Sequence, residues 1–176
     1  ILNAVAARQR HRGNLIIVDF GTATTLDVVT ADDRYIGGVI VPGIAMGLDV
    51  LARRTARLPR VPPARPTQVI GQTTRDAIQS GGFWGHIATI EGIVARIRAE
   101  LAGPVRVLAT GGLAPVLAPD CRVIDDVCPD LTLEGSGNSV FAIARTLDGE
   151  ASLAGVKGAI TGLNVEQLLR RLERRP

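Results

Sequence analysis

Apolar positions change their spacing along this chain, and each change marks a boundary between elements. Residues 1–12 place Leu2, Val5 and Ala6 together, as at the end of an amphipathic helix. Asn14–Asp19 (NLIIVD) is a short apolar run closed by an acid and then a glycine, which predicts a buried strand. Thr24–Thr30 (TTLDVVT) is β-branched and predicts a second strand. Ala31–Arg34 (ADDR) is a polar turn, and Tyr35–Val41 (YIGGVIV) a third strand stopped by Pro42-Gly43. Three strands joined by tight connections form an antiparallel meander.

The period then lengthens. Ile44–Leu58 sets Ile44, Leu48, Leu51 and Ala52 at helical spacing, and Pro59–Pro66 is too rich in proline for anything but an extended loop. Thr73 or Thr74 caps a long helix with Ile78, Ile87, Ile90, Ile93, Val94 and Ile97 as its apolar positions, and Gly81, Gly82 and Gly85 are expected to bend or interrupt it. Val105–Ala109 reads as a strand running into Thr110-Gly111-Gly112. Leu113–Leu117 is then a short helix and Val123–Val127 a last strand. The order βββ-α-α-β-α-β is that of a ribonuclease H-like domain of the actin-like ATPase type, an α/β fold with a mixed sheet and helices on both faces.

The chain divides at residue 135. Residues 1–135 carry the domain, and 136–176 read as a linker and extra tail of unknown role. Ser136–Ser139 is the linker, Val140–Arg145 a possible strand, and a capping box at Asn164–Gln167 opens a last helix. The sequence opens at Ile1 rather than a methionine, so a segment upstream is expected.

Composition narrows the function classes. With 46% apolar and 21% charged residues, the chain is globular. It holds no run long enough to span a membrane and no secretory leader, so a cytoplasmic location is expected. The net charge is +3, but Lys157 is the only lysine and the arginines are scattered. With only 3% aromatic residues there is no stacking platform, which argues against nucleic acid. Cys121 and Cys128, with two histidines elsewhere, are expected to be reduced thiols and not a zinc site. No P-loop, G-x-S-x-G, H-E-x-x-H or paired C-x-x-C occurs.

The richest candidate chemistry is Asp19-Phe20-Gly21-Thr22-Ala23-Thr24-Thr25, an acid at a strand end followed by a glycine and hydroxyls. Gly21 permits a tight turn whose N–H groups can cradle phosphate oxygens, and Thr22 can donate to a phosphate. Asp19 beside a phosphate has to hold a cation. An ordinary hairpin with a polar turn accounts for the same residues equally well. Gly111-Gly112 after an apolar strand allows a flat ligand to pack on backbone, although a strand-to-helix turn needs no ligand. His86 beside Trp84 reads as a packing or surface histidine. Asp32-Asp33 and Asp125-Asp126 read as solvated acids at turn and strand ends.

Six segments, VDFGTATTLDVV (Val18–Val29), GGVIVPGI (Gly37–Ile44), LARRTARLP (Leu51–Pro59), VIGQTTRDAIQSG (Val69–Gly81), ATGG (Ala109–Gly112) and DLTLEG (Asp130–Gly135), occur in the order and spacing of type III pantothenate kinases. The chain resembles the C-terminal of that family's two duplicated domains over roughly residues 1–135. The resemblance implies ATP-dependent phosphorylation of pantothenate, the first step of coenzyme A biosynthesis, with ATP, magnesium and a monovalent cation (potassium or ammonium). It implies that Asp19 holds the cation, Thr22 and Gly21 meet the ATP phosphates, Gly111 and Gly112 line the adenosine side, and Thr74 contacts pantothenate. It also implies a homodimer through the long helix, with Phe83 and Trp84 against a partner.

Two departures from the family pattern stand out. The family's D-x-G-N-T phosphate loop and its G-x-D-R segment, which carries the catalytic base, would align before Ile1, so no catalytic residue is assigned within this sequence. Asp33-Arg34 is a D-R pair, but in a hairpin turn. The tail is the other departure: Gly137–Ala142 with Asp148-Gly149 only faintly echoes the family's first hairpin. The competing readings are a non-catalytic relative that binds a nucleotide or a partner protein, and a folding unit that dimerises and binds nothing.

Overall fold

Strand β1 (Asn14–Phe20) lies at the centre of the molecule, and its sequence explains why. Leu15, Ile16, Ile17 and Val18 are all fully buried, which is the mark of a strand covered on both faces. Successive side chains point to opposite faces. Ile16, Val18 and Phe20 enter the larger core, while Leu15 and Ile17 enter a smaller one with Ala4, Ala7, Val29 and Leu108. The structure, a computed structural model, describes residues 2–55 and 58–128. The boundary at residue 135, the LTLEG segment and every reading of the tail lie outside the described residues.

Helix α1 (Leu2–Arg10) precedes β1, and β2 (Ala23–Val29) and β3 (Tyr35–Pro42) follow it. Then come α2 (Ile44–Arg54), α3 (Thr74–Glu100), β4 (Val105–Thr110), α4 (Ala114–Leu117), a 3-10 turn at Ala118–Asp120 and β5 (Asp126–Val127). The sheet order is β3-β2-β1-β4-β5. The first three strands are the expected antiparallel meander, and β4 and β5 add in parallel on the other side. The sheet is mixed, with α1 packed on one face and α3 and α4 within the core of the other, in line with the α/β expectation.

Small side chains set the spacing of α1. Ala4, Ala6 and Ala7 are buried, whereas Val5, expected on the inner face, is 42% exposed. At the end of this helix Arg8 donates to the carbonyls of Gly13 (2.7 Å) and Ala31 (2.7 Å) and pairs with Asp33. Asn14 ties two distant loops together: its Nδ2 donates to the Ala102 carbonyl (2.8 Å) and its Oδ1 accepts the Ala31 N–H (2.9 Å).

Three expectations need correction. Helix α3 runs unbroken for 27 residues, so Gly81, Gly82 and Gly85 do not interrupt it. Its buried Ile78, Phe83, Ile87, Ile90 and Val94 outweigh the roughly 0.5–1 kcal/mol that each interior glycine costs. Gly82 has a packing reason as well, because a Cβ there would lie 2.7 Å from Leu48 Cδ2 of α2. The last strand shrinks to Asp126–Val127: Val123 and Ile124 pack against the core from a turn instead. Asp125 is not merely solvated, since its carboxylate accepts the Val107 N–H at 2.7 Å and secures β4 at that point. Among the described residues no helix is long and apolar enough to cross a membrane.

Candidate functional site

The sheet topology brings the two glycine-bearing loops together at one end. Asp19, near the end of β1, pairs with Thr110 at the end of the parallel strand β4, so both loops leave from the carboxyl ends of adjacent parallel strands. That is where open α/β sheets form ligand crevices. Asp19 Oδ2 accepts a hydrogen bond from Asn3 Nδ2 at 2.7 Å, which fixes one carboxylate oxygen from the α1 side.

Gly111 closes against that carboxylate. Its φ is +92°, a left-handed conformation that a side chain resists. A Cβ at this position would lie 2.4 Å from Asp19 Oδ1 and 2.8 Å from the backbone N and C of Phe20. The loop is held there by Leu113 N–H donating to the Phe20 carbonyl (3.2 Å) and Ala114 N–H to the Gly111 carbonyl (3.0 Å). Gly21 is also close, with its Cβ direction 3.7 Å from Asp19 Oδ1, and Gly112 is exposed. Thr22 is exposed at the turn, and its carbonyl accepts the Gly43 N–H at 3.1 Å. Asp19, Gly21, Thr22, Gly111 and Gly112 therefore form one neighbourhood: a carboxylate, a hydroxyl and bare backbone facing solvent.

Thr74 lies in a separate, adjoining groove. Thr73 is the residue that caps α3: its hydroxyl accepts the Asp76 N–H (3.2 Å) while the Asp76 carboxylate accepts the Thr73 N–H (3.2 Å). This reciprocal capping box leaves Thr74 exposed on the first turn. The groove, of about 590 Å³, is lined by Gly43, Leu48, Thr74, Ile78, Gly82 and His86 among others. Gly43 joins the two regions, since it lines the groove and is bonded to Thr22.

His86 is the groove residue that the sequence reading set aside. Its Nε2 lies 3.0 Å from Oγ1 of Thr24, which is 1% exposed, and its ring is tilted against Phe20. Burial pushes the imidazole below its ordinary value of 6.5, so it is neutral at neutral pH. The signal was present in the spacing: Thr74, Ile78, Gly82 and His86 are four apart and share one face of α3.

Other candidates resolve into structural roles. Phe83 is fully buried in this chain's own core, which corrects the expectation that it packs against a partner. Trp84 packs at the edge of that core, touching the Phe83 ring and lying 6.0 Å from the Arg65 guanidinium, which is held by Asp120 at 2.7 and 2.9 Å. Asp32 pairs with Arg34 and Asp33 with Arg8 in the turn after β2. By the strand register that turn lies at the opposite end of the sheet from Asp19, so Asp33-Arg34 is remote from the crevice. Cys121 is buried and its thiol is pushed up to about 11, and both cysteines are free thiols, as expected.

Comparison with known proteins places the chain among known relatives. The family model for type III pantothenate kinases matches residues 1–96. Proteins described as type III pantothenate kinase are similar over 135 residues, or 77% of this chain. One from Paramagnetospirillum magneticum is 53% identical, with 52% of its length covered. Another from Acidiphilium cryptum is 49% identical, with 51% covered. The chain thus spans about half the length of these curated relatives. A crystal structure described as a Baf family transcriptional activator from Campylobacter jejuni shares the fold with a TM-score of 0.52 at 23% identity, covering 73% of this chain and 56% of that one. With a family match over more than half its residues, the chain belongs to the type III pantothenate kinase family.

Proposed function

We propose that the chain is the part of a pantothenate kinase that positions the cation, the phosphates and the pantothenate in ATP-dependent phosphorylation, the first step of coenzyme A biosynthesis. Residues 1–135 then form a ribonuclease H-like, actin-like domain, and 136–176 are an appendage to it. The observation that carries this reading is the contact of Asp19 with the Gly111 turn at the carboxyl ends of two parallel strands.

The residues suit the groups that such a reaction uses. Asp19 offers a hard oxygen donor beside bare backbone, the surroundings that potassium, ammonium or nucleotide-bound magnesium takes. When bound, the cation supplies positive charge beside the phosphoryl oxygens. Thr22 and the Gly21 N–H donate to those oxygens, and Gly111-Gly112 gives the adenosine a surface without side chains. In the adjoining groove Thr74 hydrogen-bonds pantothenate and holds its primary hydroxyl for in-line attack. The sequence contains neither D-x-G-N-T nor G-x-D-R, so the general base comes from outside this sequence. Homodimerisation along α3 and a cytoplasmic location belong to the same reading.

The test is phosphorylation of pantothenate with ATP, magnesium and potassium. The chain is assayed alone and together with the N-terminal half of the Paramagnetospirillum magneticum relative. Activity is expected only in the combination, and Asp19→Ala abolishes it. Equal activity with Asp19→Ala would refute the assignment. Nucleotide binding with no turnover in the combination would favour a non-catalytic relative.

A further inference from the structure

On the face of the sheet that α1 covers, three side chains of different chemistry meet where α1 ends beside β5. Donor atoms of His11, Asp126 and Cys128 all lie within 4.8 Å of one another. Each is anchored by its backbone or its strand. The His11 N–H donates to the Ala7 carbonyl (2.9 Å) and extends the last turn of α1. The Cys128 N–H donates to the Ala109 carbonyl (2.7 Å), which continues the β4–β5 pairing beyond Val127. Asp126 and Cys128 are two apart on an extended segment, so both project to the same face. That face is the one covered by α1, since Cys128 packs against the cluster of Ala4, Ala7, Leu15 and Leu108.

We propose that His11, Asp126 and Cys128 form a binding site for a borderline-soft divalent cation, with zinc the best fit. A thiolate, an imidazole and a carboxylate together are a zinc-type donor set, whereas potassium and magnesium prefer oxygen alone. Zinc bonds of about 2.0–2.3 Å place tetrahedral donors roughly 3.5 Å apart, so donors already within 4.8 Å of one another need only a small closure on binding. Arg106 lies 3.7 Å from Asp126, a loose ion pair that the cation displaces. Three protein ligands leave a fourth position for water. Bound there, the ion ties the end of α1 to the short edge strand β5.

The experiment uses the full chain titrated with cobalt(II) as a spectroscopic substitute, and then with zinc in competition. One equivalent of cobalt is expected to give a thiolate-to-metal charge-transfer band that zinc bleaches. Cys128→Ser removes the band and Cys121→Ser keeps it. His11→Gln weakens zinc binding by more than about tenfold. His11 and His86 are the chain's only histidines and Cys121 and Cys128 its only cysteines, so assignment is direct. In the unmodified chain, zinc also slows alkylation of Cys128, a readout that needs no variant. Absence of the band in the wild-type chain, its survival in Cys128→Ser, or alkylation of Cys128 unaffected by zinc would each overturn the proposal.

Discussion

Replacing Gly111 by alanine tests the fold and the site together. The φ of +92° has to be kept, because Leu113 and Ala114 are bonded around it, and a left-handed non-glycine residue costs about 1–2 kcal/mol. The new methyl would start 2.4 Å from Asp19 Oδ1 and 2.8 Å from the Phe20 backbone. The carboxylate can rotate away, but Phe20 N and C belong to the central strand and cannot. Forcing an extra methyl into such a place costs about 1–3 kcal/mol more. The sum, roughly 2–5 kcal/mol, is a large share of the 5–15 kcal/mol typical of a domain. Urea unfolding followed by circular dichroism and by Trp84, the only tryptophan, reads it directly. Gly112→Ala is the matched control: it has nothing within 4 Å and no positive φ, so a change under about 0.5 kcal/mol is expected. If Gly111→Ala were as stable as Gly112→Ala, the turn would not be pressed against Asp19 as described.

Two further substitutions divide structural from binding roles. Thr73→Ala removes the α3 cap and is expected to cost about 1 kcal/mol in urea unfolding, while Thr74→Ala leaves stability unchanged and weakens pantothenate binding in the reconstituted assay. Comparable destabilisation by both would mean that the cap is shared. His86 predicts a pH effect with a definite sign. Burial holds its folded pKa below the unfolded value of 6.5, so the unfolded chain binds more protons and stability falls as pH drops below about 6.5, by no more than about 1.4 kcal/mol per unit. His86→Gln should lose that part of the slope below about pH 6.5, and an unchanged slope would show that the imidazole does not sense burial.

The meander and β4 were legible because their apolar runs are short, β-branched and bounded by turn residues. The mixed character of the sheet also followed from the order of the elements. The glycines of α3 misled because local propensity is a weak prior, and the tertiary burial of Phe83 and Ile90 decides the matter. Val123 and Ile124 look like strand residues for the same reason they are half-buried, yet the Asp125 carboxylate caps β4 there and turns the chain. In the candidate site, Asp19, Gly21, Thr22, Gly111 and Gly112 could be named as two motifs. Their meeting required the parallel register of β1 with β4, which no local pattern encodes. The pairing of His86 with Thr24, and of His11 with Cys128, joins residues far apart in sequence and was not readable at all.

The placement of β1 also sets an order of events during synthesis. Its antiparallel neighbours β2 and β3 follow immediately, so the meander can form once Pro42 is clear of the ribosome. The other edge of β1 stays open until the chain has been made as far as Thr110, several seconds later at about 5–20 residues per second. For that interval the strand carrying Asp19 offers unpaired backbone along its apolar Leu15–Val18 run, a form open to pairing with another nascent chain. Asn14, bonded to the carbonyl of Ala102 just before β4, acts as the latch that ends this exposure.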